Sequence, residues 1–262
     1  MKFNKEYTDY WETATKKSID GLLIPGPSEA KTFLPDLSIQ KDDKVLDMGC
    51  SYGRMFEELS KYSENIYGVD IDPFAVEKAK LQGYKNVAVG TAENSTFNND
   101  FFDVVFSWQV FDVVDQLKGF VELNRILKIG GRFLVTGKNY NYFEDDSFAL
   151  KAEKNAYLKK FPNRFTKLDI LNANISLFGF KIKKLLLFDK RGDFGLLKFS
   201  EADLIKEDFK AYEYLLICEK TNTIQFMPEI SIENTFSAIS VGMAFNKNYN
   251  SPKDLFESIG ID

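Results

Sequence analysis

The chain contains no histidine at any of its 262 positions. That absence excludes every mechanism that depends on an imidazole, from Ser-His-Asp triads to His-ligated zinc and haem. If the chemistry needs a general base, it is Asp, Glu, Lys, Tyr or Cys. Cysteine is almost as scarce: Cys50 and Cys218 are too few for a metal cluster and suit a reducing compartment, so no metal is expected. Long apolar runs are missing, and Met1 leads into Lys2-Phe3-Asn4-Lys5-Glu6 rather than a signal sequence. A cytoplasmic protein without a membrane partner is the expectation. Surplus positive charge is lacking too, with a net charge of -5 and a pI near 5.1. The basic clusters Lys16-Lys17, Lys159-Lys160 and Lys181 with Lys183-Lys184 are short and read as solvated faces, so no nucleic-acid partner is expected.

What is present is an ordinary globular composition, 44% hydrophobic and 28% charged, arranged as alternating apolar runs and helical patterns. Lys44 to Gly49, Ile66 to Ile71, Asn86 to Val89, Phe102 to Trp108 and Arg132 to Thr136 read as five buried strands. Helices are expected between them. Arg54 to Lys61 carries Met55 and Leu59 at helical spacing. Asp72-Pro73 caps a helix that stops at Gly83, and Gln116 to Lys128 is amphipathic and ends before Gly130-Gly131. Helical segments are also expected over Asp146 to Lys160 and Lys167 to Leu177. Phe180 to Phe188 and Tyr212 to Glu219 read as two further strands, compatible with antiparallel pairing. The fold class predicted is α/β, a Rossmann-like seven-stranded, mostly parallel sheet with helices on both faces. Residues 1–43 are expected to form a helical cap or lid, 44–220 the central domain, and 221–262 an extension packed on the domain or at an oligomer interface.

The most informative segment lies between the first strand and the first helix: Asp47-Met48-Gly49-Cys50-Ser51-Tyr52-Gly53-Arg54. Small residues in such a turn let backbone N–H groups approach a ligand at a helix N-terminus. Asp70 ends the second strand, where a ribose-binding carboxylate belongs. Together they form a nucleoside-binding arrangement. Gly49-Cys50-Ser51-Tyr52-Gly53 also matches the G-x-S-x-G nucleophile elbow, but a hydrolase elbow needs the histidine this chain lacks. The dinucleotide fingerprint G-x-G-x-x-G is not met.

This loop resembles the first motif, (D/E)-x-G-x-G-x-G, of the class I S-adenosylmethionine-dependent methyltransferases. Val69-Asp70-Ile71-Asp72-Pro73, the stretch Gly90 to Trp108, and Glu122 to Gly131 resemble the family's later motifs in the same order. The resemblance covers Lys44 to about Gly137. It implies S-adenosyl-L-methionine as cofactor, with Asp47 near the methionine amino group and Gly49, Ser51 and Gly53 lining the amino-acid part. It further implies Asp70 on the ribose hydroxyls, Ile71 on adenine, Thr91 and Ala92 at the adenine edge, and Ser107 near the methionine part. Ser51 stands where the family has its middle glycine. Thr91 replaces a common Asp or Asn, which leaves Glu93 or the backbone to meet the adenine amine.

Methyl transfer from a sulfonium is an in-line displacement, helped mainly by proximity and alignment. Candidates to hold or activate the acceptor lie after the fourth and fifth strands: Asp112, Lys138 and Tyr140, with Asp115 and Tyr142 beside them. No N/D-P-P-Y/F motif follows the fourth strand and neither cysteine follows a proline, which argues against nucleic-acid bases as acceptors. Arg54, Arg125, Arg132, Arg164 and Arg191 are the only arginines among 34 basic residues, a bias of AT-rich bacterial genomes. The expected reaction is O-methylation of a sugar, sugar nucleotide or metabolite in a bacterial biosynthetic pathway such as polysaccharide biosynthesis. N-methylation of a small amine, and an inactive cofactor-binding protein acting through an interface, are the alternatives. Tyr7, Tyr10 and Trp11 suit a lid or packing on the domain edge. Phe226, Met227, Ile230, Phe236, Met243 and Phe245 suit core or edge packing or a homodimer surface.

Overall fold

The computed structural model describes residues 29–142, 145–158, 163–206, 208–230 and 236–239, with positions 9, 12, 13 and 16 before them. Five parallel strands come first: β1 (Lys44–Met48), β2 (Asn65–Asp70), β3 (Asn86–Val89), β4 (Phe102–Ser107) and β5 (Leu127–Asn139). Two helices follow the first two strands, α1 (Phe56–Leu59) and α2 (Pro73–Gln82), and α3 (Gln116–Ile126) leads into β5. Beyond these come α4 (Ser147–Leu158), β6 (Arg164–Thr166), α5 (Leu168–Asn174), β7 (Phe180–Phe188), β8 (Ser200–Glu201), β9 (Glu213–Lys220) and β10 (Ser237–Ile239). The sheet order is β3-β2-β1-β4-β5-β9-β7-β8, with β9 antiparallel to both β5 and β7. The seven expected strands are all present, and the short β6, β8 and β10 bring the sheet to 10.

The middles of the central strands are largely apolar because both faces are covered. Side chains alternate between the faces. Leu46, Val105, Phe133, Val135 and Leu216 enter one core with Phe120 and Leu123 of α3 and Leu168 and Leu171 of α5. Val45, Phe106, Leu134, Leu215 and Ile217 enter the other, with Leu59 of α1, Ala79 of α2, and Phe33, Leu34 and Leu37 of a 3-10 helix over Ala30–Leu37. That 3-10 helix lies within the expected 1–43 cap, and it packs as core. Tyr7, Tyr10 and Trp11 lie outside the described residues, as do Met243 and Phe245. Phe236 is wholly buried against Phe120 and Phe178, whereas Phe226 and Met227 are exposed.

Capping explains where α2 runs. The Asp72 side chain accepts from the Phe74 N–H at 2.9 Å, Pro73 opens the first turn, and Gly83 closes it at φ +118°. Two boundaries differ from expectation. The helix expected over Arg54 to Lys61 is confined to Phe56–Leu59, with turns on either side. Gly130-Gly131 does not terminate α3, which ends at Ile126; the strand begins at Leu127 and turns within itself at Gly130, φ +77°. Among the described residues, no helix is long and apolar enough to cross a membrane.

Candidate functional site

The carboxyl ends of β1, β2 and β4 open onto a cavity of about 640 Å³, at the position where open α/β sheets hold their ligands. One end is built by loops. After β1 the chain turns at Gly49, whose N–H and that of Cys50 both donate to the Val69 carbonyl at 2.8 and 3.1 Å. A Cβ on Gly49 would sit 2.3 Å from Cγ2 of Val110, and its φ of +82° disfavours any side chain. Ser51, at φ +49°, donates its N–H to Oδ2 of Asp70 at 2.8 Å. Oδ1 of Asp70 accepts from the Asp72 N–H at 2.9 Å. Both Asp70 oxygens are thus held by backbone N–H groups. Burial raises the Asp70 pKa to about 6 against the pull of the Asp72, Ser51 and Ile71 N–H groups.

Asp47, at the end of β1, accepts the Tyr84 hydroxyl at 2.5 Å. Burial pushes its pKa up to about 7, opposed by the Tyr84 hydrogen bond. Arg54 lines the same end, and burial lowers its pKa. One carboxylate and one guanidinium at one end match the ammonium and carboxylate of an α-amino acid. Ile71, Thr91, Ala92 and Glu93 complete the wall. The Thr91 hydroxyl accepts from Asn94 N–H at 3.0 Å, and Oε1 of Glu93 accepts from Asp115 N–H at 2.8 Å, so both fix turns of that wall.

The other end is built by side chains from distant segments: Trp108, Asp112, Lys138, Asn155, Asn163, Arg191 and Glu213. Lys138 Nζ lies 3.6 Å from Oδ2 of Asp112 and 2.9 Å from Oε1 of Glu153, a fully buried carboxylate of α4. Glu153 also accepts the Tyr212 hydroxyl at 2.5 Å and the Asn163 amide at 2.7 Å. Burial works to lower the Lys138 pKa, but the charges of Glu153 and Asp112 outweigh it and the net direction is up, so Lys138 stays protonated. Burial raises Glu213 to about 7, with Arg191 and Lys138 opposing. Trp108 is stacked on Phe33 and Phe106 and met edge-on by Phe194. Its Nε1 and Oδ1 of Asp112 are buried and find no hydrogen-bond partner among the described residues.

Of the residues expected at the site, Asp47, Gly49, Ser51, Asp70, Ile71, Thr91, Ala92, Glu93, Asp112 and Lys138 line this one cavity. Ser107, Gly53 and Tyr140 do not. Ser107 is wholly buried, and its hydroxyl donates to the Met48 carbonyl at 3.0 Å, tying β4 to β1 beneath the cavity. Gly53 is a turn glycine at φ +92° packed against Gln82 and Ala79 of α2. Tyr140 packs beside the Tyr142–Phe165–Tyr212 cluster, with Lys167 Nζ 5.6 Å from its ring centre. Tyr142 is buried in that cluster, and Asp115 caps α3. Sequence reasoning missed Trp108, Arg191, Glu213 and Asn163. Among the described residues no His, Cys, Asp or Glu cluster suited to a metal ion is found.

Residues 46–135 match the family described as methyltransferase domain. An uncharacterized protein of Methanocaldococcus jannaschii is 31% identical over 144 residues, 53% of this chain and 62% of that protein. The chain spans less than two thirds of the length of this and the other leading curated relatives it matches. A Thermotoga maritima structure, described as a SAM-dependent methyltransferase and possible histamine N-methyltransferase, superposes with a TM-score of 0.59 at 19% identity, covering 82% of this chain and 99% of its own. Geranyl diphosphate C-methyltransferase of Streptomyces coelicolor, solved with S-adenosyl-L-homocysteine, superposes at 0.55 with 15% identity over 74% and 77% of the two chains. Residues 46–135 are thus similar to a methyltransferase domain, and the chain shares the fold of these S-adenosylmethionine-dependent methyltransferases.

Proposed function

We propose that this protein transfers a methyl group from S-adenosyl-L-methionine to a small-molecule acceptor. The observation that carries the reading is one cavity with two unlike ends, an amino-acid- and nucleoside-shaped cradle of loops facing a polar pocket of side chains. The cradle fits the cofactor by its donor set. Asp47 and Arg54 would hold the ammonium and carboxylate, Asp70 the ribose hydroxyls, Ile71 would pack on adenine, and Ala92 would meet its edge. Gly49 lets the loop turn tightly against Val110 at the wall of the cradle. When bound, the cofactor supplies an electrophilic methyl group on a sulfonium, displaced in line by the acceptor.

The chain's own task is to exclude water and aim the acceptor. Asp112 is the group we assign to contact it. Lys138, held as a cation by Glu153 and Asp112, positions that carboxylate instead of acting as a base. We favour O-methylation of a sugar, sugar nucleotide or related metabolite, because the pocket is polar and carries cations beside its carboxylates. The test is calorimetry with S-adenosylhomocysteine. Asp70→Ala should weaken binding at least tenfold, the loss of about 1.4 kcal/mol or more expected for hydrogen bonds to a charged group. Unchanged affinity in that variant would remove the cofactor assignment.

A further inference from the structure

Two polar atoms at the acceptor end lack partners among the described residues, and they differ in kind. Nε1 of Trp108 can only donate a hydrogen bond, and Oδ1 of Asp112, as a carboxylate oxygen, accepts. Trp108 is more than nine-tenths buried and lines the cavity. Three aromatic rings fix its indole, with centroid distances of 5.9 Å to Phe33, 6.2 Å to Phe106 and 5.3 Å to Phe194. Asp112 is held from both sides: its carbonyl accepts from the Arg164 N–H at 2.7 Å, and its Oδ2 faces Lys138 at 3.6 Å. A buried donor and a buried acceptor left unmatched are costly in a native protein unless a ligand completes them.

We propose that this end of the cavity selects a neutral acceptor bearing two oxygen functions: a hydroxyl that donates to Oδ1 of Asp112 and becomes methylated, and a second oxygen that accepts from Nε1 of Trp108. The proposal rests on the methyl-transfer reading and names the substrate class of that site. Charge supports neutrality. Two carboxyls lining this end, Asp112 and Glu213, face two cations, Lys138 and Arg191. Glu153 behind Lys138 adds a third acid, and burial raises Glu213 to about 7, so it carries only part of a negative charge at neutral pH. Little net charge remains for an ammonium or carboxylate acceptor to offset. In the transfer, the acceptor oxygen forms the new C–O bond while the C–S bond breaks and leaves its electron pair on sulfur. Oδ1 of Asp112 takes the hydroxyl proton.

The test uses the full chain. Calorimetry with S-adenosylhomocysteine comes first, and failure to bind overturns the methyl-transfer reading itself. With that product bound, 15N–1H spectra follow the Trp108 indole N–H, assigned by its loss in Trp108→Phe. Neutral hydroxylated compounds (hexoses, nucleosides, phenols), primary amines and carboxylates are added in turn. At least one neutral hydroxylated compound should move the indole resonance, and it should be methylated when S-adenosylmethionine is supplied. Trp108→Phe should raise its KM about tenfold with kcat little changed. Asp112→Asn should lower kcat about a hundredfold, with S-adenosylhomocysteine affinity kept within about twofold. The proposal is overturned if no neutral compound moves the resonance, or if an amine or carboxylate binds more tightly than all of them. It also falls if Glu213→Gln, and not Asp112→Asn, removes turnover.

Discussion

The two ends of the cavity are made differently. The cradle is backbone: Gly49, the Ser51 N–H and the turn at Gly90 shape it, and its carboxylate pair, buried Asp47 and half-buried Asp70, sits at the ends of adjacent parallel strands. The acceptor end is a lattice of side chains drawn from β5, α4, β9, the residue before β6 and the loops after β4 and β7. Backbone shape is encoded by a short local motif, whereas a side-chain lattice is encoded by tertiary contact. Evolution can therefore keep the first while replacing the second without disturbing the sheet.

The lattice is the more fragile of the two. Glu153→Ala would strand Lys138, Tyr212 and the Asn163 amide at once. We expect a loss of about 3–5 kcal/mol, the range for breaking a buried ion pair, read as a lower urea midpoint. Affinity for S-adenosylhomocysteine should stay within about twofold in the folded fraction; a large loss would mean that the two ends are not separable. The reverse experiment is Gly49→Ala. Its Cβ collides with Val110 and its φ of +82° strains the loop, so affinity for S-adenosylhomocysteine should fall about a hundredfold, roughly 2.7 kcal/mol. Circular dichroism should show the fold retained.

A smaller effect comes from Asp47. Its folded pKa, about 7, lies above the ordinary value of 3.8. A carboxyl raised in this way contributes stability below the unfolded pKa and loses it as pH rises through the folded one. Between pH 5 and pH 8 the wild type should therefore lose about 2 kcal/mol relative to Asp47→Asn, measured by thermal melts at both pH values. Parallel losses in the two proteins would show that Asp47 is not the group responsible.

The same contrast governs what could be read from the sequence. The strands β1 to β5, β7 and β9 announce themselves as apolar runs, and Asp72-Pro73 and Gly83 mark α2 by local chemistry. The cradle was legible for the same reason, since Asp47, Gly49, Ser51 and Asp70 sit within or beside one loop. Gly53 fits the motif but serves the turn onto α2. Ser107 was misplaced by a single step along β4: the strand's alternation sends its hydroxyl to Met48 and leaves Trp108 at the cavity. Arg191 and Glu213 had no local signal. Glu213 comes to the site only because β9 runs antiparallel to β5 and pairs it with Lys138, a register set by packing on both faces of the sheet.

The rings around Trp108 carry one more consequence. Phe33 precedes the stretch that matches the methyltransferase-domain family and Phe194 follows it, and Phe194 itself stacks on Phe188 at 3.7 Å. On the proposed reading, the indole that meets the acceptor is gripped by Phe33 and Phe194 of the flanking chain as well as by Phe106 within the shared stretch. A graft of residues 46–135 onto another scaffold would carry the loops of the cradle with it, and Trp108 and Phe106 as well, but would strip two of the three rings that fix the indole. On that reading, acceptor choice is shared between the common stretch and its margins.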